Sequence, residues 1–138
     1  MRVCIDSNQF IFGISGTNPA SEKLLMILPR LEVVIPRLVL QEVSRNLSKA
    51  QIKSFYALLK HARVTVIEEF IPAGLVNKYV SLGLREKADA FIGAFVEWQN
   101  AAFLISSNRQ FLAELKSTSF DVLRPDEFLA RYPFLLRE

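Results

Sequence analysis

Cysteine, histidine and glycine are all scarce in this chain of 138 residues, with one, one and five copies. The lone Cys4 excludes an intrachain disulfide and a thiolate metal cluster. That usage points to a reducing, cytoplasmic setting. The only histidine, His61, stands beside Lys60 near a helix end and reads as a surface residue, so a histidine-based triad has no support. No Gly/Ser linker, repeat or low-complexity run interrupts the sequence, so one domain spanning 1–138 is expected. No apolar stretch approaches the roughly 20 residues that a membrane helix needs, so no membrane association is expected. Met1-Arg2 runs straight into Val3-Cys4-Ile5, too short for a secretory apolar region.

What is present is a core. Apolar residues make up 51% and charged residues 22%, which excludes disorder as the main state. A chain of this length buries enough surface to fold without disulfides or a structural metal. Short apolar runs predict strands at 2–5, 32–35, 64–67, 102–106 and 121–123. Helical spacing predicts helices over 21–28, 38–47, 76–82, 85–100, 108–115 and 126–132. Ile52, Phe55, Leu59 and Ala62 mark another apolar helical stripe. Strands alternating with helices predict an α/β domain with a mainly parallel sheet. In such sheets ligands bind outside the carboxyl ends of the strands. Cys4 reads as a small buried hydrophobe, and Trp98 and the phenylalanines as core or interface. Phe128, Tyr132 and Phe134 read as a C-terminal apolar patch, either core or partner site.

The formal charge of +3 is unevenly spread. Arg37, Arg45, Lys49, Lys53, Lys60 and Arg63 share one segment with a single acid, Glu42. Such a segment is either a solvated helix face or a seat for a polyanion. Five oxygen-bearing residues invite a second function. Asp6 ends the first strand, where it serves as a helix N-cap or as a site carboxylate. Glu42 lies in an apolar helix and either pairs with Arg45 or Asn46 at the surface or meets a partner inside. Asp89 shares a helical row with Ile92, Gly93 and Val96. Burial there without compensation costs several kcal/mol by desolvation, roughly. The alternative is a first-turn Asp favoured by the helix dipole. Glu86 lies on nearly the same face as Asp89, and Asn108 is an N-cap or a neutral oxygen ligand. Oxygen donors of this kind suit Mg²⁺ or Mn²⁺, and such an ion activates water for attack on a phosphodiester.

Four motifs, in order, make the sequence resemble a PIN domain, the nuclease fold of VapC-type toxins. They are Val3-Cys4-Ile5-Asp6-Ser7-Asn8, Leu40-Gln41-Glu42-Val43, Lys87-Ala88-Asp89-Ala90-Phe91-Ile92, and Leu104-Ile105-Ser106-Ser107-Asn108-Arg109-Gln110-Phe111. The resemblance covers nearly the whole chain. It implies a three-layer α/β/α domain with about five strands. It implies an Mg²⁺- or Mn²⁺-dependent endoribonuclease with Asp6, Glu42 and Asp89 as catalytic carboxylates. Asn108, where the family commonly has Asp, joins them as a metal ligand, and Asn8, Glu86 and Ser106 stand in support. Arg37, Arg45, Lys49 and Lys53 are the expected RNA contacts. A cognate antitoxin and a homodimer are the implied protein partners. The Asn at 108 keeps open a second class of function, a PIN-like domain that holds RNA without cutting it. A haloacid-dehalogenase-like phosphatase wants an Asp at position 8, which is Asn here. A phospho-receiver domain lacks its acidic pair and its lysine.

Overall fold

Five short strands make one sheet in which every neighbouring pair runs parallel. The computed structural model describes residues 1–84, 87–108, 111, 112, 115 and 119–137. The strands are β1 (Arg2–Ile5), β2 (Glu32–Pro36), β3 (Thr65–Ile67), β4 (Phe103–Ile105) and β5 (Asp121–Leu123), in the order β3-β2-β1-β4-β5. Val3, Cys4 and Ile5 of the central strand are wholly buried. This is the continuous apolar run of a strand covered on both faces.

Around the sheet lie α1 (Ser7–Ser15), α2 (Pro19–Met26), α3 (Arg37–Arg45), α4 (Lys49–His61), α5 (Ala73–Ser81), α6 (Lys87–Trp98) and α7 (Pro125–Arg131). Local chemistry sets their ends. Asp6 caps α1 by accepting the Ser7 N–H at 2.8 Å. Gly16 closes α1 at φ +73°, a left-handed conformation that a side chain disfavours. Asn18 caps α2 through the Ser21 N–H, with Pro19 in the first helical position. Ser48 and Gln51 form a reciprocal capping box at the start of α4. Helical spacing predicts no helix over 7–15, where α1 lies. The apolar run Phe10-Ile11-Phe12 there is short and interrupted by Gly13, so periodicity alone did not separate it from a strand. Half of the predicted 108–115 helix, positions 109, 110, 113 and 114, falls outside the described residues.

α1 packs against α2, α3 and α4, and α2 also touches α7, while α5 packs on α6. Right-handed crossovers explain this division. From β1 the chain steps outward to β2 and β3, then returns across β1 to β4 and β5. The two directions place their helices on opposite faces, giving α/β/α layers. The direction reverses between β1 and β4. A crevice at such a switch point lies outside the carboxyl ends of the strands. The aromatic C-terminus is mainly core: Phe128 is fully buried and packs on Phe103, Tyr132 is half-buried and Phe134 is exposed. Among the described residues no helix is long and apolar enough to cross a membrane.

Candidate active site at the carboxyl edge of the sheet

Register places two of the expected residues side by side. Ile5 pairs with Ile105, and the Asp6 N–H continues the ladder to the Ile105 carbonyl at 3.0 Å. Asp6 and Ser106 therefore leave adjacent strands at the switch point. The Ser106 hydroxyl, fully buried, donates to Asp6 Oδ2 at 2.8 Å, while Oδ1 takes the Ser7 N–H. Asp6 thus caps a helix and faces a second strand at once, and the two roles expected of it are compatible. The Asn108 N–H donates to the same Ser106 oxygen at 3.0 Å, and the Asn108 carbonyl accepts from Leu112 at 3.1 Å. The half-buried Asn108 therefore begins a helical turn beside the site.

Glu42 reaches this edge from α3. Its Oε2 accepts the Ser7 hydroxyl at 2.8 Å. The anticipated surface partners go elsewhere: Asn46 donates to the Glu42 main-chain oxygen, and Arg45 to that of Gln41. Ser7 thus touches both acids, through its N–H to Asp6 and its hydroxyl to Glu42. The residue was legible only as a capping candidate.

Asp6 is 6% exposed. Burial pushes its pKa up from the ordinary value; the hydrogen bonds from Ser106 and Ser7 pull it back, and the Glu42 charge pushes it up again. Among the described residues no Lys or Arg forms an ion pair with either acid. Two neighbouring carboxylates, one deeply buried and neither matched by a protein cation, are a donor set that a hard divalent ion suits.

Asp89 occupies the first turn of α6 and is half-buried. The helix has 12 residues, about 18 Å of rise. Its far end lies at the amino edge of the sheet, where Arg2 of β1 donates to the Gln99 carbonyl at 2.8 Å. The first turn of α6 therefore falls toward the carboxyl edge, the side that Asp6 occupies. Among the described residues no group of three or more His, Cys, Asp or Glu is spaced to hold a metal ion. The structure thus brings Asp6 and Glu42 together through Ser7 and sets Asp89 in the first turn of α6, toward the same edge of the sheet. Glu86 lies outside the described residues. Asn8 stands half-buried in the first turn of α1. Arg37 and Arg45 project from α3, and Lys49 and Lys53 from α4, all exposed.

One buried feature escaped the sequence reading. Gln9 is 0% exposed, yet its carboxamide accepts from the Ser21 hydroxyl at 2.7 Å and donates to Ser107 Oγ at 2.8 Å. This strut ties α1 and α2 to the segment leaving β4. For Gln9, its place beside the apolar run Phe10-Ile11-Phe12 was the one signal available in the sequence.

The family model described as PIN domain matches residues 3–116. No curated protein matches the chain. Among solved structures the chain is similar to one in the crystal structure of VapBC2 from Rickettsia felis bound to a DNA fragment from their promoter. That likeness has a TM-score of 0.64 at 20% identity, and covers 90% of this chain and 98% of the other. Identity this low speaks for the fold alone.

Proposed function

The chain belongs to the PIN domain family, whose members are generally nucleases, and on that premise we propose that it is a metal-dependent endoribonuclease, the toxin of a toxin–antitoxin pair. The observation that carries the reading is the pair of carboxylates at the switch point. Asp6 is buried without a protein cation and shares Ser7 with Glu42. Asp6 and Glu42 would hold Mg²⁺ or Mn²⁺, with Asp89 and Asn108 as further oxygen ligands and Asn8, Glu86 and Ser106 in support. Bound there, the ion supplies positive charge to a phosphodiester and favours ionisation of water. Ser106 fixes the Asp6 carboxylate, and Ser7 fixes the rotamers of both acids. Asp6 and Glu42 are thereby preorganised, which spares reorganisation during reaction.

The exposed cations of α3 and α4 would hold the RNA backbone through phosphate contacts. We further propose that residues 1–138 act as one domain, that the protein works in the cytoplasm, and that it pairs with itself and with an antitoxin. The antitoxin proposal draws on the structural neighbour, a VapBC complex by its title. The test is cleavage of single-stranded RNA with Mg²⁺ or Mn²⁺ by the wild type, Asp6→Asn and Asp89→Asn. Loss of at least about 100-fold in both variants is expected. Unchanged cleavage in both sinks the assignment. Tight RNA binding without metal-stimulated turnover by the wild type replaces it with a binding domain.

A further inference from the structure

The outer face of α3 carries Arg37, Gln41 and Arg45 at helical spacing of four residues, all exposed. Glu42 lies on one flank of that ridge, turned toward Ser7 of α1. On the other flank a groove of about 620 Å³ opens between α3, α4 and the end of β3, lined by Arg37, Gln41, Ser44, Arg45, Tyr56 and Glu68 with Leu40 at its floor. A helix with its side chains is about 10–12 Å across, so the groove and Glu42 are separated by one ridge of an α-helix. We propose that this groove seats an unpaired nucleobase of the RNA substrate, stacked on the Tyr56 ring, with Arg37 and Arg45 on its flanking phosphates. The proposal rests on the nuclease reading and adds to it a place where the substrate is gripped beside the reacting bond.

Three observations support it. Tyr56 is 49% exposed on a helix whose neighbouring Phe55 is fully buried. The Tyr56 ring lies tilted against Phe55 at a centroid distance of 5.7 Å, which leaves one of its sides open to the groove it lines. Aromatic platforms of this kind take any base, because every base has a π-face. The Gln41 carboxamide makes no hydrogen bond to another described residue, and it carries both a donor and acceptor sites for a base edge. The Ser44 hydroxyl, which lines the groove, donates to the Leu40 carbonyl at 2.9 Å and retains acceptor capacity. The charges suit a phosphate. Arg45 has no ion-pair partner among the described residues, and Arg37 meets Glu68 only at 3.4 Å with both side chains more than half exposed. Such a pair is worth little, and a phosphate can displace it.

The experiment uses the full chain in EDTA, with fluorescence anisotropy on short labelled single-stranded RNAs. Tyr56→Ala is expected to weaken binding about 5- to 20-fold, and Tyr56→Phe, which keeps the ring, to stay within about twofold of the wild type. A set of RNAs with one abasic position each separates stacking from a general loss. The wild type is expected to lose affinity at one position, and Tyr56→Ala to be insensitive there. Equal affinity of Tyr56→Ala and wild type, or a flat abasic scan in the wild type, overturns the base site. Metal-stimulated cleavage with either of those results leaves the nuclease reading standing. Tyr56-dependent binding with no cleavage under any metal overturns the nuclease reading and keeps the base site.

Discussion

Replacing Asp6 with Asn removes a buried negative charge and keeps the shape of the side chain. Its consequence for stability follows from the hydrogen bonds around it. The Asn carbonyl oxygen still accepts from the Ser7 N–H. Its amino group turns to Ser106 Oγ, which accepts the Asn108 N–H and has a lone pair to spare. The buried Ser106 hydroxyl proton loses its acceptor, a cost set against the desolvated charge and its repulsion with Glu42, which both vanish and outweigh it. Such a relief is worth about 1–2 kcal/mol, as when strained active sites are neutralised. For 138 residues at about 2.1 cal/mol/K each, unfolding entropy is about 0.29 kcal/mol/K. The variant is therefore expected to melt about 3–7 °C above the wild type in EDTA. The pH dependence has a definite sign. The folded carboxyl of Asp6 is raised above its unfolded value, so the native state binds this proton more tightly. The wild type is most stable, on this account, below the ordinary carboxylate range, and loses that stability as pH rises through the raised folded pKa. The gap between variant and wild type opens in the same direction. The assay is a set of thermal melts in EDTA from about pH 5 to pH 8, repeated with Mn²⁺, which is expected to raise the wild type alone. A variant that melts at or below the wild type across that range refutes the claim that Asp6 is an uncompensated buried charge.

Two further predictions concern the supports of the site. Gln9→Met keeps the volume and removes the carboxamide, stranding the buried Ser21 hydroxyl; a loss of about 1–3 kcal/mol by urea unfolding is expected, partly recovered in Gln9→Met/Ser21→Ala. A single variant as stable as the wild type would show the strut to be idle. Gly93→Ala gains about 1 kcal/mol of helix propensity, yet its Cβ would meet Tyr79 Cδ1 at 2.7 Å. That ring is fully buried, and its hydroxyl donates to Glu97 at 3.0 Å, so it has little room to yield. A net loss of about 1–2 kcal/mol is expected, and a stabilised variant would contradict the packing argument.

The strands were the most legible part of the chain. β1 and β5 fall on their predicted residues, and the others differ by a residue at one or both ends. β1, β2 and β4 are short apolar runs closed by Asp, Pro or Ser, and burial on both faces leaves little else for such a run to be. Helix ends were less legible, because Asn18, Ser48 and Gly16 act through single hydrogen bonds or one dihedral angle that periodicity does not register. In the stripe expected on α6, Ile92, Phe95 and Val96 are buried but Ala88 is exposed, since a small side chain in a first turn carries little hydrophobic weight. At the site, Asp6 and Ser106 were readable from their place at the ends of strands. The Ser7–Glu42 bond and the Gln9 strut were not. Both join residues distant in sequence, and no local rule says which polar side chain turns inward.

The register of β1 with β4 also carries a consequence for how the protein is made. Asp6 and the hydroxyl that steadies it are 100 residues apart. Synthesis proceeds from the amino end, so Asp6 emerges long before Ser106 exists. Until β4 is added, one edge of β1 has no strand to pair with, and Asp6 has no donor from that side. A nascent or prematurely terminated chain therefore carries the acids without the geometry that arms them.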